Sequence, residues 1–278
     1  MPIITNTTTI SGRYRFIFIE DNIVLKKCLH SFPLSEEDLP NKEIAQKCLQ
    51  TQMANDWYEE PELNYSAILL EKDCPVPSGC EVIPLRQFFW DSKTEDEQKK
   101  GLPSMLGGLA ARAHGFLRLR ETYRYCPKCG SLLQVDKTFT AKVCPTCGRQ
   151  DFPRIEPAII VLVRKGSQLL LAKSKTTHSS AYYSCIAGFV EHGETLEQCV
   201  EREVLEETGI HIQNIRYVGS QAWPYPDQLM LAFRADYKSG EIAIQEEEIE
   251  DATWFEESSL PPIPRPGSVA YNLIKGIF

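Results

Sequence analysis

The segment from Gly188 to Ile210 constrains the fold of this chain more than any other. Thr195 followed three residues later by Gln198 is a capping box, which marks the start of a helix. The residues from Leu196 to Glu207 are mostly good helix formers, and Gly209 stands where helices commonly end in a left-handed residue. The pattern predicts a loop followed by a helix of about three turns.

Three acids of this helix, Glu203, Glu206 and Glu207, stand at positions i, i+3 and i+4 and therefore share one face. A solvated acidic face would lie opposite the apolar stripe of the helix. At roughly 100° per residue, however, the mean direction of the acids lies only about 40° from that of Leu196, Cys199, Val200 and Val204. Like charges on a buried face are costly unless a cation compensates them. Mg²⁺ or Mn²⁺ is favoured over zinc because no His or Cys joins the cluster.

The whole segment resembles the Nudix box, G-x5-E-x7-R-E-U-x-E-E-x-G-U with U an aliphatic residue, and it matches at every defined position. The resemblance implies an α/β fold, an α/β/α sandwich around a mixed sheet. It also implies that Glu203, Glu206 and Glu207 hold divalent ions and that Arg202 orients them. The implied reaction is hydrolysis of a nucleoside diphosphate linked to another group.

Two matching cysteine pairs precede this region, Cys126-Pro-Lys-Cys129-Gly and Cys144-Pro-Thr-Cys147-Gly. Each C-x-x-C turn supplies two thiolates, and four thiolates complete the tetrahedral shell of a structural zinc ion. A redox-active C-x-x-C or two disulfides are the alternatives, although a redox motif normally comes singly at a helix start. The pattern predicts one structural zinc per chain.

The remaining sequence divides around these two features. Short β-like runs before about residue 95 predict a small sheet, and the Ala-, Leu- and Arg-rich stretch from about 95 to 125 predicts one or two helices with a break near 101–103. The strand Ala158–Val163 opens the last region. We therefore expect an N-terminal α/β domain over residues 1–122, a zinc ribbon over 123–150 and a Nudix domain over 151–278.

Composition limits the functional classes. The formal net charge of −8 opposes sequence-independent binding to nucleic acid. No segment approaches the run of about 18 apolar residues that a membrane helix needs. The N-terminus shows no basic region leading into an apolar one, so the cytoplasm is the expected location.

The stretch Ser220–Met230 contains two prolines that bracket aromatic residues. Such a stiff loop suits either ring stacking on a nucleotide or a rigid turn whose aromatics fill the core. The run is similar to the S-Q-P-W-P-F-P-x-S motif of the zinc-ribbon NADH pyrophosphatases, a branch that also removes NAD caps from RNA. The ribbon and the stretches Leu85–Gln87, Phe152–Arg154 and Pro264–Ala270 resemble the same branch.

This second resemblance implies further site residues. The catalytic Mg²⁺ or Mn²⁺ site would include Ala187 and Glu248 beside the three box glutamates. In a homodimer, Phe189 would stack on the nicotinamide and Phe152 would close over it from the partner subunit. The implied substrate contacts are Phe189, Phe152, Gln221, Ala222, Trp223, Pro224, Tyr225, Pro226, Asp227, Gln228, Ala270 and Arg86.

We therefore expect a chain that hydrolyses NAD(H) to NMN(H) and AMP and releases NMN from NAD-capped RNA 5′ ends. One alternative is a Nudix hydrolase of another dinucleotide, such as ADP-ribose or diadenosine polyphosphate. Another is a nucleotide-sensing regulator that binds without cutting, although the complete set of box carboxylates argues against it.

Overall fold

A computed structural model of the chain describes residues 14–26, 34–35, 57–60, 65–70, 72–74, 76, 79–92, 105–175, 181–225 and 227–278. The chain divides into two compact units, residues 1–153 and 154–278. The cysteine pairs belong to the first unit and the predicted catalytic helix to the second. The three-domain division stays a prediction, as does the helix break near 101–103, which lies outside the described residues.

The first unit contains a mixed sheet, two helices and a small three-stranded sheet. In the mixed sheet the strand order is β4-β5-β1-β2-β6, β3 pairs with β1, and β1 and β5 run parallel. Its elements are β1 (Tyr14–Ile19), β2 (Asn22–Lys26), β3 (Leu34–Ser35), β4 (Trp57–Glu60), β5 (Tyr65–Leu70), β6 (Cys80–Pro84), α1 (Leu85–Asp91) and α2 (Met105–Thr122). The small sheet consists of β7 (Gln134–Val135), β8 (Lys142–Val143) and β9 (Gln150–Asp151).

The second unit is built on another mixed sheet with the order β13-β14-β10-β11-β15, in which β12 pairs with β10. Strands β10 and β14 run parallel, and the other pairs are antiparallel. The elements are β10 (Glu156–Lys165), β11 (Gln168–Ser174), β12 (Ile186–Phe189), α3 (Leu196–Thr208), β13 (His211–Trp223), β14 (Gln228–Ser239), β15 (Ile249–Glu256) and α4 (Val269–Ile274).

Strand β10 is buried on both faces, and alternate residues point to opposite sides of the sheet. Ile159, Val161 and Val163 pack in the core that α3 covers. The intervening residues, Ala158, Ile160 and Leu162, pack in a second core that α4 covers. A helix on each face of a mixed sheet is the α/β/α sandwich that the sequence predicts.

Helix α3 begins and ends where the sequence places it. The Thr195 hydroxyl accepts a hydrogen bond from the Gln198 backbone N–H at 3.2 Å, and the Gln198 side chain accepts one from the Thr195 N–H at 2.8 Å. Gly209 ends the helix with a φ of 71°. Cys199, Val200 and Val204 are fully buried, so this face of the helix lies against the sheet.

In the part of the chain that the structure describes, no helix is long and apolar enough to cross a membrane.

Candidate active site and zinc centre

The two cysteine pairs fold into matching turns. Within each turn, a backbone N–H donates to the carbonyl oxygen of the first cysteine, from Gly130 to Cys126 at 2.9 Å and from Gly148 to Cys144 at 3.0 Å. Both glycines adopt positive φ angles, 73° and 72°. A residue with a side chain would be strained in this conformation. The repeated geometry brings two thiols from each turn to one point.

The four thiols form a compact cluster. The Sγ atoms of Cys126 and Cys147 are 3.6 Å apart, and those of Cys129 and Cys144 are 3.4 Å apart. All four donor atoms lie within 4.8 Å of one another, the one such set of three or more among the described residues. A tetrahedron with Zn–S bonds of about 2.3 Å has edges of roughly 3.8 Å, so the cluster fits zinc. Hydrogen bonds with Ser131 lower the pKa of Cys129 to about 6, which favours the thiolate.

The cysteines that the structure describes are free thiols, so the disulfide alternative is not observed there. Outside the ribbon, Cys185 and Cys199 are buried, and burial raises the pKa of each to about 12. A thiol that stays protonated is a poor metal ligand and nucleophile. These two cysteines therefore act as core residues.

The acids of α3 differ in their exposure. Glu203 is 9% exposed and Glu207 is 6% exposed, whereas the Glu206 side chain is 52% exposed at the edge of the same face. Buried carboxylates thus continue the apolar face, as the helical wheel predicts. Gly188 of β12 makes room for one of them, because a Cβ atom at this position would lie 1.9 Å from the Glu203 carboxylate carbon.

Arg202 connects the catalytic loop to these acids. Its guanidinium donates to both carboxylate oxygens of Glu194, at 2.7 and 3.0 Å, and to the carbonyl oxygen of Phe189 at 2.9 Å. The same group donates to Glu203 at 2.9 Å and to Glu206 at 3.1 Å. The hydrogen bonds with Arg202 lower the pKa of Glu194 to about 2. One cation therefore holds the loop, through Glu194 and the Phe189 carbonyl, together with two of the three helix acids.

Among the residues that the structure describes, no cation pairs with Glu207. Its burial, together with the charges of Glu203, Glu248 and Glu206, raises its pKa to about 8. Burial also raises the pKa of Glu203, although Arg202 opposes the shift. Backbone hydrogen bonds join the segment of Glu248 to the end of α3, from the Gln245 N–H to the Glu207 carbonyl oxygen at 3.2 Å and from the Glu248 N–H to the Gln245 carbonyl oxygen at 3.1 Å. Uncompensated negative charge among oxygen donors fits Mg²⁺ or Mn²⁺.

The predicted substrate residues occupy several elements of the second unit. Phe189 ends β12 and is 48% exposed. The rings of Trp223 and Tyr225 meet edge to face with their centroids 5.8 Å apart. Trp223 also packs against the core that α4 covers. Trp223 therefore supports the core, as one of the two sequence alternatives predicts, and its ring also contacts that of Tyr225.

The other predicted substrate residues of this loop occupy different structural positions. Asp227 accepts a backbone hydrogen bond from Glu156 at 2.8 Å, and Gln228 pairs with Trp223 across the hairpin. Ala222 is exposed on β13, and Pro224 lies in the turn, whereas Pro226 is outside the described residues.

Two predicted contacts have structural partners of their own. The Gln221 side chain donates to the carbonyl oxygen of Gly267 at 2.8 Å and accepts from the N–H of Val269 at 2.9 Å. Ala270 follows in α4 and is buried. Gln221 thus ties β13 to the start of α4.

Ala187 lies in β12 directly before Gly188, opposite Ile160 of β10, and has only backbone atoms to offer as ligands.

Phe152 and Arg86 belong to the first unit. Phe152 is 52% exposed and its ring centroid lies 6.3 Å from that of Phe139. The Arg86 guanidinium lies 4.6 Å from the centre of the Trp90 ring within α1.

Comparison with known proteins identifies the family. A NUDIX domain model matches residues 154–273. A NAD-capped RNA hydrolase NudC of Pseudomonas aeruginosa (strain LESB58) is 42% identical over 219 residues, 78% of this chain and 73% of that protein. The protein of the same name from Chromobacterium violaceum is 49% identical over 203 residues, 73% of this chain and 72% of its own. The chain belongs to the NudC family of Nudix hydrolases.

Among solved structures, a NUDIX hydrolase from Nitrosomonas europaea shares 24% identity with a TM-score of 0.48. The match covers 55% of this chain and 88% of that one.

Glu194 is a defined position of the box to which the sequence pattern attached no role. In this Nudix hydrolase it makes the two-point contact that holds Arg202. The box itself indicated this contact, because an acid and an arginine at fixed positions eight residues apart can form an ion pair. The two residues meet only because the loop before α3 turns back on the helix.

The zinc assignment predicts that purified protein contains about one zinc per chain. Removing this ion should lower the stability of the protein and leave the requirement of the reaction for Mg²⁺ or Mn²⁺ unchanged. Elemental analysis should show zinc lost in Cys126→Ser and retained in the control variant Cys185→Ala. Protein without zinc, with Cys126 and Cys129 joined in a disulfide, would refute the assignment.

The raised pKa of Glu207 predicts a pH dependence. Between about pH 4.5 and pH 8 the folded state retains a proton that the unfolded state releases, so unfolding free energy falls as pH rises through this window. Denaturation without added divalent ions should show a smaller fall between pH 5 and pH 8 in Glu207→Gln than in wild type. Glu201→Gln, an exposed acid on the same helix, is the control and should behave as wild type. Equal slopes in all three proteins would contradict the prediction.

Proposed function

We propose that this chain hydrolyses the pyrophosphate bond of NAD(H), giving NMN(H) and AMP, and removes NAD caps from RNA 5′ ends. The observation that carries the proposal is the acidic face of α3 within a Nudix domain, where Glu203 and Glu207 are buried and Arg202 donates to Glu203 and Glu206. The names of the relatives supply the substrate, because both are NAD-capped RNA hydrolases matched over most of their length.

The residues that would hold Mg²⁺ or Mn²⁺ are Glu203, Glu206, Glu207 and Glu248, with the carbonyl oxygen of Ala187. A bound ion lowers the pKa of a water molecule and neutralises charge on phosphate oxygens. Arg202 keeps the Glu203 and Glu206 carboxylates in place through its own hydrogen bonds. Two of the five proposed donors are therefore held in place before substrate binds.

The exposed ring of Phe189 and the rings of Trp223 and Tyr225 support a dinucleotide as substrate. Aromatic side chains bind bases through stacking, and a dinucleotide offers a ring on each side of its pyrophosphate. Phe189 is held beside the acids because Arg202 donates to its carbonyl oxygen. Substrate recognition and the carboxylate cluster are therefore connected through one side chain.

The family resemblance also favours a homodimer with twofold symmetry, in which Phe152 completes the site of its neighbour. Its half-exposed ring suits such a role. We place the enzyme in the cytoplasm, where reducing conditions keep the free thiols of the ribbon available for zinc.

The direct test is incubation with Mg²⁺ or Mn²⁺ and a nucleotide panel, followed by product identification. NADH, NAD⁺ and an NAD-capped RNA should yield NMN(H) together with AMP or RNA 5′-monophosphate. Preferred cleavage of ADP-ribose or diadenosine polyphosphates would mean that the substrate is one of these compounds and not NAD(H). Binding without any cleavage would favour a regulator.

Phe189→Ala should lower kcat/KM for NADH by about tenfold to a hundredfold, because one base-stacking contact contributes about 1–3 kcal/mol. Residual ATP hydrolysis should fall much less, since a mononucleotide has a single base. Steady-state kinetics on both substrates checks the ratio. An equal loss on NADH and ATP would mean that Phe189 supports the catalytic loop instead of binding nicotinamide.

A complementation experiment tests the dimer. Phe152→Ala and Glu207→Gln should each have low activity alone, but a mixed dimer combines one intact box with the partner's Phe152. Co-expression at equal levels should therefore restore about a quarter of wild-type sites. The control pair, Glu206→Gln with Glu207→Gln, lacks an intact box and should recover nothing. No recovery in the first pair, with mixed dimers demonstrated by affinity tags, would contradict the shared site.

A further inference from the structure

The two cysteine turns share one backbone pattern but differ in the side chain that follows it. Ser131 follows the first turn and Arg149 follows the second, each directly after the glycine. The carbonyl oxygen of Ser131 accepts a hydrogen bond from the Cys126 N–H at 2.8 Å. The carbonyl oxygen of Arg149 accepts one from the Cys144 N–H at 2.8 Å. Ser131 and Arg149 therefore hold equivalent positions beside the four thiols.

The equivalent positions also give equivalent contacts with sulfur. The backbone N–H of Ser131 forms a hydrogen bond with the Cys129 sulfur. The backbone N–H of Arg149 forms the same bond with the Cys147 sulfur. In the first turn the side chain adds a further contact, because the Ser131 hydroxyl oxygen lies 3.4 Å from the Cys129 Sγ. In the second turn the corresponding side chain is the guanidinium of Arg149.

An acid holds this guanidinium in place. The Nε of Arg149 donates to the Oδ1 of Asp151 at 2.9 Å. Asp151 is 7% exposed, and its Oδ2 is buried without a hydrogen-bond partner among the residues that the structure describes. A buried carboxylate that loses its cation is left with an uncompensated charge, which lowers stability. The carboxylate therefore favours one position of the Arg149 side chain.

The small sheet sets the position of this acid. Strand β9 pairs antiparallel with β8, so that Asp151 lies opposite Lys142 and Gln150 lies opposite Val143. Val143 directly precedes Cys144, the first cysteine of the second turn. The strand that leads into the turn is thus hydrogen-bonded to the strand that carries Asp151.

The guanidinium also interacts with the thiols. The Asp151 carboxylate raises the pKa of Arg149 most, and the negative charges of Cys126 and Cys147 raise it further. A zinc ion with four thiolates carries a net charge of about −2. A guanidinium nearby stabilises negative charge on sulfur, and groups around a metal site that are themselves hydrogen-bonded orient its ligands.

We propose that Arg149, oriented by Asp151, is a positioning residue of the zinc centre, which stabilises the thiolates and slows loss of the ion. It serves the second turn as the Ser131 hydroxyl serves the first. The proposal concerns retention of zinc and does not depend on which reaction the chain catalyses. A purely structural ion pair would contribute to folding and leave the affinity for zinc unchanged.

The test measures transfer of zinc from full-length protein to a colorimetric zinc chelator. Arg149→Ala should lower the affinity for zinc by about tenfold, the lower end of the range for a group that contacts metal ligands. Arg149→Lys keeps the charge but loses the planar guanidinium, so its affinity should lie between those of wild type and Arg149→Ala. Circular dichroism of the zinc-loaded proteins checks that they fold, and the two milder variants, Arg149→Lys and Asp151→Asn, serve if Arg149→Ala does not.

Asp151→Asn separates positioning from charge alone. Removing an acid beside an anionic centre would strengthen zinc binding if net charge were the whole effect. Positioning predicts weaker binding, because Arg149 loses its partner. The double variant Arg149→Ala with Asp151→Asn should release zinc no faster than Arg149→Ala, since both residues act through one contact.

Matched controls change an ion pair of the second unit. Arg164 and Glu257 are 3.1 Å apart, and both side chains are exposed. Arg164→Ala and Glu257→Gln should leave the affinity for zinc at the wild-type value. An unchanged affinity in Arg149→Ala, or stronger zinc binding in Asp151→Asn, would overturn the proposal.

Cobalt(II) loaded in place of zinc supplies a spectroscopic readout that a change in folding stability does not produce. Arg149→Ala should move the sulfur-to-cobalt charge-transfer band to longer wavelength, because loss of a nearby positive charge raises the energy of the sulfur electrons. An unshifted band together with a lower melting temperature would assign the pair to folding and overturn the proposal. Wild-type protein that binds neither zinc nor cobalt would refute the zinc assignment and this proposal with it.

Discussion

The candidate active site depends on negative charge that α3 carries on its buried face and that the protein neutralises only in part. Arg202 compensates Glu194, Glu203 and Glu206 through direct hydrogen bonds. No described cation pairs with Glu207, and burial together with the neighbouring acids raises its pKa. Buried carboxylates that no cation neutralises lower the stability of the free protein, and the same negative charge favours binding of a divalent ion. The proposed binding of a divalent ion would therefore use charge that the fold already buries.

The fold places this charge by means of short-range constraints. The capping box and Gly209 determine where α3 starts and ends, and the alternating faces of β10 determine which surface the helix covers. Gly188 then allows the Glu203 carboxylate to approach β12, where a methyl group would collide with it. Because β12 also carries Phe189, the ring expected to bind substrate is positioned by the same contacts as the acids.

Features set by neighbouring residues could be predicted from the sequence, and features set by distant partners could not. The limits of α3, the cysteine turns and the strand at Ala158–Val163 depend on nearby residues and were confirmed. Residues 85–91 lie in the stretch where the sequence indicates only short β-like runs, but they form α1. Gln221, assigned to substrate from the family motif, engages Gly267 and Val269, which lie 46 and 48 residues further along the chain. No local pattern identifies such partners, and the same holds for the loop that brings Glu194 to Arg202.

The central claim is that the α3 carboxylates bind the ions required for pyrophosphate cleavage. The most direct measurement is kcat/KM for NADH with Mn²⁺ in Glu206→Gln and Glu207→Gln, with Glu201→Gln as the control on the same helix. The account predicts a loss of at least about a hundredfold in the first two variants, native folding in all three, and wild-type activity in the control. Near-normal turnover in both Glu206→Gln and Glu207→Gln would contradict it.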